Sequence, residues 1–166
     1  MIDPARFRNV LSAYPTGVCV IAAQDVEGRK HAMVVGSFTS ISLDPPLIGF
    51  YPAKSSTSWA AMTGIGGFSV SVLGADQLAH CQQFASRAAD KFGDLAHGVT
   101  PLGHPVIDGA LAWLDCTVHS VHDIGDHFLV VGQVEALDGS TEREPLLFYG
   151  GRYHGLGEPV VAPGPQ

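Results

Sequence analysis

Cysteine is scarce and scattered in this sequence: Cys19, Cys81 and Cys116 are the three it has, and no two of them form a C-x-x-C pair. Neither a disulfide framework nor a zinc knuckle is therefore expected, no metal site is indicated, and a reducing, cytoplasmic setting fits. Positive charge is short as well. Nine Lys and Arg stand against sixteen Asp and Glu, a formal net charge of −7, which opposes the phosphate contacts that nucleic-acid binding depends on. No apolar run approaches the length of a membrane span, and the opening MIDPARFRNVL has neither a basic leader nor a long apolar stretch, so neither membrane insertion nor processing is expected. The commonest enzyme signatures are also missing. There is no G-x-x-x-x-G-K-[ST], H-E-x-x-H or G-x-S-x-G, and Gly64-Ile65-Gly66-Gly67 precedes a strand where a dinucleotide fingerprint would follow one.

What the chain has in quantity is apolar residue: 46% of 166 positions, against 15% charged. That is enough for one sizeable core, and it leaves the surface under-charged for a lone soluble monomer, so some apolar surface is expected to meet a second subunit. One domain over residues 1–154 is expected, followed by a Gly/Pro-rich tail at 155–166.

Local patterns fill in the domain. Asp3-Pro4 starts a short helix carrying Phe7, Val10 and Leu11 at helical spacing. After the turn at Pro15-Thr16-Gly17, the β-branched run Val18 to Ala23 and a second strand from His31 form a hairpin. Strands are predicted at Leu47 to Tyr51 and Phe68 to Leu73, and an amphipathic helix over Ala75 to Ala85 with Leu78, Cys81 and Phe84 at intervals of three. Ser86 to Gly109 reads as one irregular stretch. Ala110 to His122 alternates as a half-buried strand, Asp123 to Asp126 turns, and His127 to Ala136 and Pro145 to Tyr149 complete at least six strands. With few helices and no long βαβ alternation, a mainly β fold is expected: a closed or nearly closed antiparallel barrel.

Two segments carry the chemistry. Met33 to Phe50 passes from an apolar run into a ladder of small hydroxyls and stops at Asp44-Pro45-Pro46, a shallow hydrogen-bonding face suited to a planar ligand. Lys54-Ser55-Ser56-Thr57 brings a cation, three hydroxyls and the free N–H groups of a helix start to one place, which suits a phosphate. Taken alone, the tetrapeptide also reads as an ordinary helix cap with a solvated lysine. His119 and His122 sit three apart on a predicted strand and point to opposite faces, so they do not pair as metal ligands. His127, directly after Asp126, could have its ring oriented by that carboxylate.

In this order and spacing the pieces resemble the flavin reductase family of FMN-binding split barrels, the small reductase components of two-component flavin monooxygenases. The residues that carry the likeness are Phe7 to Leu11 with Pro15 to Val18; Ser37 to Leu47; Lys54 to Thr57; Phe68 to Leu73 with Asp76-Gln77; Lys91-Phe92; Ala112 to Cys116; Gly125 to His127; and Pro145 to Leu147 with Gly151 to Tyr153. The resemblance implies a split antiparallel β-barrel and an NAD(P)H-dependent reduction of FMN, with FAD possible and NADH or NADPH as cosubstrate. It implies that Met33, Val34, Val35, Gly36, Ser37, Phe38, Thr39 and Ser40 line the ring and ribityl chain, while Lys54, Ser55, Ser56 and Thr57 hold the phosphate. Ser71, Lys91 and Phe92 should approach the flavin. Asp126 and His127 should face the nicotinamide, with Arg152 and Tyr153 on the same side and His127 as the catalytic candidate. A homodimer and a monooxygenase that accepts reduced flavin are implied too. A flavin-binding or electron-carrying protein without turnover, on the same fold, is the alternative. Three positions depart from the family pattern: Val34 and Gly36 stand where Thr and Asn are common, and Ser71 where Asn is common.

Overall fold

The chain is described here by a computed structural model covering residues 2–86, 88 and 90–157. Its elements run α1 (Pro4–Leu11), β1 (Thr16–Gly17), β2 (Cys19–Gln24), β3 (Lys30–Val35), β4 (Thr39–Leu43), β5 (Pro46–Phe50), α2 (Thr57–Met62), β6 (Gly67–Val72), a 3₁₀ turn (Ala75–Gln77), α3 (Leu78–Ala85), β7 (His97–Val99), β8 (Pro105–Ile107), β9 (Ala112–Ile124), β10 (His127–Gly139), β11 (Leu147–Tyr149) and β12 (Arg152–His154). Seven strands form one antiparallel sheet in the order β3-β2-β6-β9-β10-β5-β4. Two small antiparallel sheets, β1-β11-β12 and β7-β8, lie beside it. The fold is thus mainly β with few short helices, and the end strands β3 and β4 are not paired with each other.

The run Val18 to Ala23 explains where the core sits. Side chains alternate along a strand, so Cys19, Ile21 and Ala23 enter one apolar cluster while Val18, Val20 and Ala22 enter another. The first cluster gathers Val35, Ile48, Phe50, Phe68, Val70, Cys116 and Val130 with Trp59 and Met62 of α2. Phe50 meets Trp59 and Phe68 edge-on, with ring centroids 5.8 and 5.3 Å apart. The second lies against α3 and holds Leu73, Cys81, Phe84, Phe92 and Ile107. All three cysteines are buried and free, and burial pushes the thiols of Cys19 and Cys116 up to about 12. Close packing also fixes Gly132, at a register shift between β9 and β10, because a Cβ there would lie 2.5 Å from the Phe68 ring.

Several local expectations hold. Asp3 caps α1 by accepting from the Arg6 N–H at 2.8 Å, and Ser56 caps α2 by accepting from the Trp59 N–H at 3.1 Å. Others change. Met33 to Phe50 is not a single face: β3 ends at Val35, the chain bends, and the hydroxyl ladder continues on β4, largely exposed at the edge of the sheet. Asp44-Pro45 then forms the tight turn into β5, with Leu43 paired to Pro46 and the Asp44-Pro45 bond cis. The stretch from Ser86 to Gly109 contains β7 and β8, strands too short for a period to register in the sequence. Thr16 and Gly17, expected as a turn, pair with β11. Residues 155–157 follow β12, and the remainder of the anticipated tail, 158–166, lies outside the described residues. Among the described residues no helix is long and apolar enough to cross a membrane.

Candidate functional site

The edge strand β3 is flanked by α2 and α3, and a cleft of about 610 Å³ opens where they meet. Its walls are Lys30, His31 and Ala32 from β3, Ser55 to Ser58 and Ala61 at α2, Ala85 at the end of α3 with Ser86 and Ala88 after it, and Lys91. Lys91 is the bridge. Its Nζ donates to the Ala32 carbonyl and to Ser58 Oγ, each at 3.0 Å, and leaves one donor for the cleft. Burial lowers its pKa from the usual lysine value. Across the cleft, Lys30 Nζ lies 2.6 Å from His97 Nε2 and 5.8 Å from the centre of the Phe92 ring. His97 Nδ1 is 2.7 Å from the Leu95 carbonyl, which only accepts; Nδ1 therefore carries the proton and Nε2 accepts from Lys30. Neither lysine has a carboxylate within 4.0 Å among the described residues. With six residues, α2 adds little dipole, so among the described residues that line the cleft the positive charge comes from Lys30 and Lys91.

A second cleft, of about 600 Å³, is lined by Asp25, Arg29, the Gly64 to Gly67 loop and His104. Among the described residues that line it the one cation is spent, since Arg29 is bound to Asp25 at 2.8 Å and to Glu27 at 2.5 Å.

The residues expected to hold a ligand are only partly brought together. Ser55, Ser56, Thr57 and Lys91 share the first cleft. Lys54 does not line it: its Nζ is held by Asp123 Oδ1 at 2.6 Å and sits 5.7 Å from the centre of the Phe128 ring. The Lys54 backbone N–H donates to the Asp126 carbonyl at 2.9 Å, and Ala53 bridges His127, so the β9–β10 tip is fastened to the start of the hydroxyl segment. There His127 Nδ1 lies 2.7 Å from Asp126 Oδ1. The hydrogen bond to His127 holds the Asp126 carboxyl below the usual range. The carboxylate can only accept, so His127 Nδ1 donates to it.

At the other end of β3, Val34, Val35, Gly36 and Tyr153 line a small hollow of about 150 Å³ with Thr16, Val18 and Phe148. Gly36 has a steric reason, as a Cβ there would come 2.8 Å from Thr16 Oγ1. Cys81 Sγ lies 3.4 Å from the Tyr153 hydroxyl, and this contact, with burial, pushes the phenol up to about 12. Met33 and Phe38 pack against the first core cluster, and Ser37 Oγ accepts from the Tyr51 N–H at 3.0 Å. Thr39, Ser40 and Arg152 are exposed. Ser71 and Phe92 are core residues, Ser71 Oγ accepting from the Ile107 N–H at 3.2 Å and Phe92 packing edge-on against Phe84 at 5.0 Å. Sequence reasoning missed Lys30, His31, Ser58 and Ser86. Lys30 stands at the end of a hairpin turn, where a lysine is unremarked, and only the packing of α2 and α3 on β3 turns it into a site residue.

The pattern of the Flavin reductase like domain matches residues 11–157. The chain belongs to that family. It is similar to a flavin reductase of Pseudomonas putida, 49% identical over 93% of this chain and 91% of the relative. It is also similar to the reductase subunit HsaB of a flavin-dependent monooxygenase from Rhodococcus jostii strain RHA1, 44% identical over 99% of this chain and 84% of that one. Among solved structures, the NADH:FAD oxidoreductase SgcE6 of Streptomyces globisporus C-1027, in complex with NAD and FAD fragments, superposes with a TM-score of 0.86 at 32% identity, over 100% of this chain and 99% of that one. Membership of the flavin reductase family gives the first cleft a chemical meaning. Lys30 and Lys91, neither with a carboxylate within 4.0 Å among the described residues, line the cleft with Ser55, Ser56, Thr57 and Ser58, a set that fits the phosphate end of a flavin.

Proposed function

We propose that this chain is an NAD(P)H:flavin oxidoreductase that passes hydride from reduced nicotinamide to FMN or FAD and supplies the reduced flavin to a partner monooxygenase. The observation that carries it is the first cleft, where Lys91 and a row of hydroxyls offer an anion site in a chain whose net charge is −7. Ser55, Ser56, Thr57 and Lys91 hold the phosphate; the segment from Met33 to Ser40 lies along the ring and ribityl chain, through backbone groups where Val34 and Gly36 replace polar side chains. Bound flavin supplies an N5 that accepts the hydride of nicotinamide C4.

The protein's part is positioning, which in favourable cases is worth roughly 7–11 kcal/mol. His127, its ring oriented by Asp126, contacts the nicotinamide or the flavin edge, beside Lys54 at the mouth of the site. Arg152 and Tyr153 lie toward the pyridine nucleotide. Hydride transfer needs no protein acid or base, and the electronics belong to the cofactor. Lys91 meets a group remote from the reacting atoms and so contributes to affinity more than to rate.

The fold is read as the split-barrel type, in a single domain over 1–154. Val35 from β3 and Ile48 and Phe50 from β5, strands near opposite ends of the sheet order, share one core, which supports a sheet curled around an interior. A homodimer is proposed from α1, which buries none of its residues although Phe7, Val10 and Leu11 all stand more than half exposed. A sedimenting mass equal to the single chain's 17.4 kDa would count against it. The cytoplasm is the proposed setting.

Steady-state oxidation of NADH and NADPH with FMN and FAD tests the activity. Flavin-dependent oxidation with at least one pair is expected; none with any pair overturns the reading.

A further inference from the structure

Two lysines line the first cleft at different places. The ammonium of Lys91 lies between the Ala32 carbonyl and Ser58 Oγ, against the start of α2. Lys30 opens β3 two residues before Ala32, about 7 Å earlier along a strand, and its ammonium sits on His97 of β7 and near the Phe92 ring. A single phosphate among Ser55, Ser56 and Thr57 accounts for Lys91. It leaves Lys30 unexplained.

Carboxylates are not lacking in this chain. Arg29, Lys54 and Arg143 each find one within 3.1 Å, whereas Lys30 has none within 4.0 Å among the described residues. Asp90 feels the field of Lys30, but its Oδ1 accepts from the N–H groups of Phe92 and Gly93. What holds the Lys30 ammonium instead is neutral. His97, its proton fixed on Nδ1 by the Leu95 carbonyl, presents a lone pair, and the ring of Phe92 lies alongside. A cation positioned by uncharged groups at the wall of a cleft keeps its charge for an anionic ligand. The volume, about 610 Å³, is of the size that encloses whole small molecules rather than one phosphate.

We propose that Lys30, positioned by His97, recognises a second phosphate in this cleft, so that the flavin bound best is the dinucleotide FAD rather than FMN. This rests on reading the cleft as the flavin phosphate site. A second phosphate could also come from the 2′-position of NADPH, and the assignment to FAD follows from Lys30 sharing walls with Ser55, Ser56, Thr57 and Lys91, while Asp126 and His127 lie beyond Lys54.

The test compares wild type, Lys30→Met and Lys30→Arg in steady-state NADH oxidation titrated with FAD and with FMN, and repeats the wild-type and Lys30→Met assays with NADPH. Lys30→Met should raise KM for FAD about tenfold and KM for FMN less than about twofold with kcat unchanged, the loss of one charge-assisted hydrogen bond, and Lys30→Arg should stay within about threefold of wild type. Equal rises for FAD and FMN, or no rise for either, overturn the proposal. So does a rise confined to KM for NADPH, which would move the contact to the nicotinamide nucleotide. Failure of the reading beneath it looks different: wild type would then oxidise neither NADH nor NADPH with either flavin.

Discussion

Lys54 and Lys91 separate two ways in which a lysine near a cleft can behave. Both belong to segments that resemble flavin-contacting ones, but Lys54 gives its ammonium to Asp123 at 2.6 Å, while Lys91 bonds only to neutral oxygens and is partly desolvated. The Lys54 pair is solvent-exposed, so its contribution to stability is small. Replacing Lys91 by Met is therefore expected to raise KM for flavin roughly tenfold with kcat within about twofold, whereas Lys54→Met should change KM by less than about threefold. Steady-state titration of each variant with flavin checks this. A larger effect at Lys54 than at Lys91 would return the phosphate contact to the residue singled out from the sequence. Gly36 makes a related point at the backbone, since its missing side chain is explained by Thr16 Oγ1, 2.8 Å from where a Cβ would stand, without any reference to a ligand.

At the scale of elements, β2, β9 and the loop that precedes β8 are tied by buried polar groups. His104 Nδ1 accepts from the Gln24 N–H at 3.4 Å, the His104 N–H donates to Thr100 Oγ1 at 3.0 Å, and Asp115 Oδ2 accepts from the Leu102 N–H at 2.7 Å. Burial lowers the pKa of His104 below its ordinary value, against the pull of Asp115 in the other direction. The unfolded chain then takes up a proton at His104 before the folded chain does. The stability this group contributes is present above the ordinary value, about 6.5, and is lost as pH falls from there through the folded pKa. Urea unfolding at about pH 7.5 and about pH 5.5 should show the wild type losing stability on acidification, and His104→Asn should lose less over the same interval. Equal losses would place the titration elsewhere. The elements most legible in the sequence were those with a cap or a period: α1 from Asp3-Pro4, and the β2–β3 hairpin from Val18 to Ala23 and the turn that follows. β7 and β8 were not legible because three residues give no period, and the bend after Val35 was hidden because Gly36 packs on a residue twenty positions earlier.

For the whole molecule, the sequence led to the family, the mainly β architecture and the hydroxyl segment, but not to the cleft as a whole. Lys30 and Lys91 meet only because β3 is an edge strand that both α2 and α3 pack against, a consequence of sheet order that no local pattern encodes. The same order brings the β9–β10 tip to Ala53 and Lys54, so that Asp126 and His127, proposed for nicotinamide, adjoin the segment proposed for flavin phosphate. Hydride transfer itself requires nicotinamide C4 beside flavin N5, on the ring side of that phosphate. It also separates an enzyme from a protein that merely stores flavin, because only the enzyme turns over. The decisive measurement is anaerobic mixing of catalytic protein with excess NADH and FAD, following the absorbance of oxidised flavin. Loss of many equivalents of oxidised flavin per chain is the predicted result. A trace that stays flat, or stops after one equivalent per chain, would contradict the reductase assignment.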